Sequence, residues 1–187
     1  VDDMADEYLA EMLKQRPHGP YFLGALCAGA YIAAAMAHKL SDAGEVVLPL
    51  LLLDPPNSVR QRGYSQLSEE QFVSKMKVRG ARGVTAGAVD DPDYMKALQR
   101  TALAFDDAIS RHRPVTYDGP VYVLCSRQRM QDPTELRTMF TGRLERFVVG
   151  ETHKQALDPR NPMFSNTLLR CVRLIREAAP AAQYSES

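Results

Sequence analysis

The 187-residue chain lacks net charge: Lys+Arg and Asp+Glu each number 23. Without a basic field, neither nucleic acid nor an anionic membrane surface is indicated as a partner. Its three cysteines include no C-x-x-C pair. That argues against both a disulfide framework and a zinc site, and a reducing, cytoplasmic setting fits best. The longest apolar run, Val46–Leu53 with one proline inside, is far too short to span a bilayer. The opening residues are acidic and polar, unlike a signal peptide. Internal repeats and low-complexity segments are also missing. What is there, 45% hydrophobic and 25% charged residues, is the composition of an ordinary globular domain long enough to bury a core.

The stretch Tyr21–Ala30 organises the chain. A short apolar segment, Tyr21–Leu26, leads into Cys27. Helix formers nearly free of charge follow from Gly29 to about Ala43, with Gly44 as a stop. A strand, a sharp turn carrying a nucleophile and a helix with glycine two residues on is the geometry of a nucleophile elbow. Here it reads A-x-C-x-G, with Ala25 and Gly29 flanking the apex. Small flanking residues suit the close passage of strand and helix. The competing reading is a buried structural cysteine.

Before this stretch, Met4, Tyr8, Leu9, Met12 and Leu13 recur at helical spacing and predict a helix over 3–16, ended by Pro17–Pro20. After it, Val46–Leu53 fits a strand buried on both faces, as in a parallel sheet. Residues 57–113 change character: no strand pattern, high charge, and two helical patterns, Ser68–Val78 with a Ser-x-x-Gln capping signal and Pro92–His112. We read them as a helical insertion, either a lid or plain crossover helices. The α/β rhythm then resumes with a strand at Val121–Ser126, a short helical piece from Asp132 to about Phe140, a strand at Arg146–Val149, a loop to His153 and a closing helix at Met163–Ala179. The tail 181–187 is expected to be frayed.

In α/β hydrolases the nucleophile, acid and base follow one another along the chain, each just past a strand end. Cys27, Asp54 and His153 meet that condition. His153 takes the proton of Cys27, and Asp54 holds the other ring nitrogen and fixes the tautomer. The Ala28 N–H is expected to be one oxyanion donor. Asp132 is the rival acid, although a helix N-cap role suits it better. His18, His38 and His112 do not follow strands. Cys125 and Cys171 read as core. Asp54 ahead of Pro55 and Pro56 also has a plain turn reading.

These residues resemble a known family. Pro17–Gly24, Cys27–Gly29, Leu52–Pro55 and Gly150–His153 are similar to the type I thioesterase domains that end nonribosomal peptide and polyketide synthetase assembly lines. The resemblance covers residues 3 to about 178. It implies a single α/β-hydrolase-like domain with a mostly parallel sheet flanked by helices and a helical lid at about 57–113. It also implies that the N-terminal strands of the fold, one source of an oxyanion donor, are missing from this chain. It favours Asp54 over Asp132. An acyl or peptidyl chain would arrive as a thioester on the phosphopantetheine arm of a carrier domain, be transferred to Cys27, and leave by hydrolysis or internal cyclisation. No cofactor or metal is implied. Tyr64, Phe72, Met76 and Phe105 are lid residues that would line the substrate site, or else pack the lid itself. The usual nucleophile of the family is serine, and Cys27 departs from it. The alternatives are another Cys-dependent α/β hydrolase of dienelactone-hydrolase type and a non-catalytic hydrolase-like interaction module.

Overall fold

A computed structural model describes residues 1–56, 66–80, 90–113, 115–130 and 134–179. Tyr64, Asp132 and the tail 181–187 lie outside them. The contacts divide the chain into two compact units: residues 1–58 with 113–187, and residues 59–112.

The first unit opens with α1 (Asp2–Gln15), an amphipathic helix that buries Ala5 and Leu9 and packs on α2 (Gly29–Asp42). Four parallel strands follow in the order β1 (Gly24–Leu26), β2 (Leu50–Leu53), β3 (Val121–Ser126) and β4 (Leu144–Gly150). The sheet is shorter at its start than the apolar pattern suggests. Pro49 has no N–H to donate to a ladder, so β2 begins at Leu50, and upstream only the bridge Tyr21–Val47 pairs the chains.

Leu50, Leu52, Val123 and Leu124 are fully buried, as expected for strands covered on both faces. One face packs on α8 (Pro162–Glu177): Leu51, Tyr122, Leu124 and Val149 meet Phe164, Cys171 and Ile175. The side chain of Asn161 caps that helix by accepting from Met163 N at 3.0 Å. β1 lies at the sheet edge, with Leu26 54% exposed.

Three short helices complete this unit: α5 (Arg127–Met130), α6 (Thr134–Met139) and α7 (His153–Ala156). The first and last have no signal in the apolar pattern, because four residues are one turn and carry no periodicity.

The second unit contains α3 (Glu69–Gly80) and α4 (Pro92–Arg111). Its start is the expected capping box: Gln71 N donates to Ser68 Oγ at 3.2 Å and Ser68 N to Gln71 Oε1 at 2.9 Å. Phe72, Met76 and Met95 form its core, with Leu98 and Ala102 packed against them. Phe72 is 1% exposed and Met76 8%. Both belong to the core cluster of this unit. Phe105 is half-buried.

Candidate active site

The strand ends dictate the site. Beyond the paired residues Leu26 and Leu53, Cys27 N donates to Leu53 O at 2.8 Å, and Asp54 N donates to Leu124 O at 2.7 Å. Adjacent strands therefore carry Cys27 and Asp54 out of the sheet at the same edge. Both leave through left-handed backbone, with φ +52° at Cys27 and +45° at Asp54. For a residue with a side chain this conformation costs about 1–2 kcal/mol, and the sheet hydrogen bonds hold it in place. Cys27 is half-buried at the apex, two residues before α2. The positive end of that 14-residue helix favours an anion on the sulfur.

Gly29 is less constrained than an elbow suggests. A Cβ there would meet the Ala25 Cβ at 3.8 Å, ordinary van der Waals contact, so close approach does not require glycine at this position. Ala28 is the N-cap of α2 and makes no side-chain cap.

Asp54 is completely buried and its carboxylate is satisfied. Oδ1 accepts from Ser126 N at 2.6 Å, and Oδ2 lies 2.5 Å from His153 Nδ1. The structure thus brings Asp54 and His153 together across 99 residues of sequence. With Nδ1 bound to the carboxylate, Nε2 is the ring nitrogen left for a nucleophile.

His153 does not lie in a loop but is the first residue of α7, whose N-cap is Thr152. A capping box holds the turn: Gln155 N donates to Thr152 Oγ1 at 3.4 Å, while Gln155 Oε1 accepts from Thr152 N at 3.3 Å and Glu151 N at 3.0 Å. Gly150 is required directly beneath it. A Cβ at Gly150 would lie 2.8 Å from Ala156 N and 2.9 Å from the Gln155 carbonyl carbon. Backbone cannot yield as a side-chain tip can. Gly150→Ala is therefore expected to displace α7, cost about 1–3 kcal/mol of stability and slow any reaction that depends on the placement of His153 about 100-fold. Thermal melting and single-turnover rates measure the two effects. A variant with the unaltered rate would show that this packing does not set the histidine.

The strand-end criterion missed one residue. Arg129, on α5 just past β3, places Nη1 3.6 Å from Cys27 Sγ. The same nitrogen donates to the Asp54 carbonyl oxygen, and Nε lies 3.6 Å from Asp54 Oδ2. A positional signal exists: Arg129 stands three residues past the end of β3, as His153 stands three past the end of β4, while Asp54 follows β2 directly. Arginine is no nucleophile, acid or base, so a search for those three roles does not select it.

The other candidates lie apart. His18 Nδ1 is 2.9 Å from Glu45 Oε1 and 85% exposed, and His38 Nε2 is 3.3 Å from Asp42 Oδ2 on the surface of α2. Cys125 and Cys171 are buried, and burial pushes each thiol up to about 11, with the Asp54 charge adding to the effect at Cys125. They suit packing rather than nucleophilic chemistry. Among the described residues no group of His, Cys, Asp and Glu could hold a metal ion, and no helix is long and apolar enough to cross a membrane.

Comparison with known proteins gives consistent findings. The family described as thioesterase domain matches residues 1–176. Among curated relatives, the bikaverin polyketide synthase bik1 of Gibberella fujikuroi is 32% identical over 120 residues, covering 63% of this chain and 6% of that protein. The non-reducing polyketide synthase PKS12 of Gibberella zeae is 34% identical over 128 residues, 66% of this chain and 6% of that protein. The chain thus spans a small fraction of these relatives. Among solved structures, the NocB thioesterase domain from the nocardicin cluster superposes with a TM-score of 0.63 at 22% identity, covering 92% of this chain and 73% of that one. The SrfTE thioesterase domain, solved for the cyclisation of surfactin, gives 0.62 at 20% identity, with 92% and 76% covered. Human thioesterase 2 gives 0.65 at 16% identity, with 96% and 84% covered. At these identities the structures speak for the fold alone, the α/β-hydrolase fold with its parallel sheet flanked by helices.

Proposed function

The chain belongs to the thioesterase domain family, and from that premise we propose that it releases an acyl or peptidyl chain from the phosphopantetheine thioester of a carrier domain through an acyl-Cys27 intermediate. The observation that carries the reading is the buried Asp54 carboxylate, 2.5 Å from His153 Nδ1, on the strand next to the one that ends at Cys27.

In the proposed cycle His153 Nε2 accepts the Cys27 proton. The thiolate attacks the thioester carbonyl, with the Ala28 N–H as a donor to the oxyanion. As the tetrahedral adduct collapses, the phosphopantetheine sulfur leaves and takes the proton from His153. Water or an internal nucleophile then gives its proton to His153 and attacks the acyl-Cys27 carbonyl. Collapse frees the acid or the ring and returns the proton to the Cys27 sulfur. Asp54 keeps the imidazole in the required tautomer throughout. Because acyl-Cys27 is still a thioester, its carbonyl stays activated. An amine or an internal ring closure therefore competes with water better than it does at an acyl-serine. Hydrolysed product alone from the native carrier-bound substrate would count against that part. Residues 57–113 are read as the lid by family resemblance, with Phe105 still a candidate for lining. Family membership favours this reading over the dienelactone-hydrolase type, and a satisfied acid–base pair beside a strained cysteine favours it over a non-catalytic module.

The test is direct. The protein, incubated with an acyl N-acetylcysteamine thioester and with an acyl carrier protein, is expected to gain the acyl mass, localised to Cys27 by peptide mapping. No adduct and no turnover with either donor would sink the reading.

A further inference from the structure

We propose that Arg129 is the counter-ion of the Cys27 sulfur and that it lets the acyl-accepting site admit groups carrying negative charge beside the reacting carbon, which the site would otherwise repel. This rests on Cys27 being the nucleophile, and it deepens that reading by extending the substrate class to acyl chains with an ionised acidic group close to the thioester.

The geometry is specific. Arg129 Nη1 sits 3.6 Å from Cys27 Sγ. The guanidinium is also anchored by the Asp54 carbonyl and lies 3.6 Å by Nε from Asp54 Oδ2. Its side chain is only 23% exposed. Arginine cannot lose its proton in a protein, so its charge at the sulfur is permanent, whereas that of His153 comes and goes during turnover.

Counting formal charges decides the sign. With Cys27 as thiolate and His153 as imidazolium, the cluster of Cys27, His153, Asp54 and Arg129 sums to zero. Without Arg129 it is negative by one charge and repels an anion. Two further cations lie near. Arg146 Nη1 donates to the Met130 carbonyl at 3.5 Å, at the far end of α5. Arg127 pairs with Glu151 at 3.0 Å, both side chains 64% exposed. Arg127 has no contact with the sulfur and supplies the control for loss of one positive charge.

The experiment compares alkylation of Cys27 by iodoacetate and by iodoacetamide, at fixed pH and low ionic strength. In both reactions the thiolate displaces iodide and forms an S–C bond. The rate ratio therefore cancels differences in thiolate fraction and in access, leaving the response to the reagent's charge. Arg129→Gln is expected to lower the iodoacetate-to-iodoacetamide ratio about fivefold, which corresponds to about 1 kcal/mol for a charge pair about 4 Å apart in water-like surroundings. Arg129→Lys is expected to keep at least half of the ratio, and Arg127→Gln to leave it within about 1.5-fold. High salt, which shortens the screening length to about 3 Å at 1 M, should shrink the difference between the protein and Arg129→Gln. An unaltered ratio in Arg129→Gln, or an equal fall in Arg127→Gln, overturns the proposal.

Folding is monitored in the same spectra. Cys125 and Cys171 are 3% and 0% exposed, so a folded variant takes one label and an unfolded one takes three. If Arg129→Gln takes three, Arg129→Lys decides: a retained ratio supports the proposal and a lost one overturns it. Failure of the parent reading stays separate. A ratio that depends on Arg129 without acyl loading sinks the thioesterase reading, and acyl loading without that dependence sinks only the role of Arg129.

Discussion

Replacing Cys27 with alanine is expected to abolish acyl loading and to lower chain release by more than about 1,000-fold, while the protein stays folded. The sulfur is the only atom that changes. Alanine meets the same left-handed backbone, φ +52° in the parent protein, at a comparable steric cost. The apex is half-buried, and the deleted contact with Arg129 is a long one at 3.6 Å, so stability should change by less than about 1 kcal/mol. Intact mass after incubation with an acyl thioester reads the loading, and a thermal melt reads the fold. The other cysteines offer no easy substitute, because burial holds their thiols at about 11. An acyl adduct that persists in Cys27→Ala would move the acceptor elsewhere and end the elbow reading. Cys27→Ser is the informative partner. It should retain an acyl adduct as an ester, with product shifted toward hydrolysis because the oxygen ester is less activated toward amines.

Asp54→Asn is expected to slow acyl transfer by about 1,000- to 10,000-fold through the tautomer of His153. In the parent protein His153 Nδ1 pairs with the carboxylate, and in the proposed cycle Nε2 carries the lone pair that takes the thiol proton. An asparagine can keep the bond from Ser126 N through its carbonyl oxygen, but it then presents an NH₂ where Oδ2 stood. The imidazole answers by carrying its proton on Nε2, where it cannot act as base. The same NH₂ faces Arg129 Nε, a second donor-to-donor contact, since that nitrogen lies 3.6 Å from Oδ2. Because Asp54 is fully buried, the mismatch cannot be relieved by water, and a stability loss of about 1–3 kcal/mol accompanies it. Single-turnover acylation and a denaturant melt separate the two effects. A rate loss below tenfold would mean that another group orients His153.

Much of the scaffold is legible in the chain itself. The apolar run ending at Leu53, the helix formers after Gly29 and the apolar face of the last helix are local patterns. Periodicity and turn chemistry act over a few residues, so they survive without knowledge of neighbours. The same holds for the Ser68 capping box and for the order Cys27, Asp54, His153 past the ends of the first, second and fourth strands. Element ends were less legible: Pro49 trims β2, and the single-turn helices α5 and α7 have too few residues to show a period.

What only the tertiary structure decided is which side chains meet. Parallel register places residues far apart in sequence at one sheet edge, and no local signal encodes a contact of Arg129 with Cys27 across 102 positions. Nor does any pattern announce that Asp54 leaves its strand in the left-handed region, or that Gly150 is fixed by the backbone of the helix beginning at His153. The use of Phe72 and Met76 in the helical unit's own core was likewise open, because apolarity says that a side chain will be buried and not against what. The sequence by itself determined the chemistry on offer, a cysteine, a carboxylate and an imidazole at strand ends. The fold determined their geometry and added the arginine, because hydrogen bonds and ion pairs act over a few ångströms in space and are blind to distance along the chain.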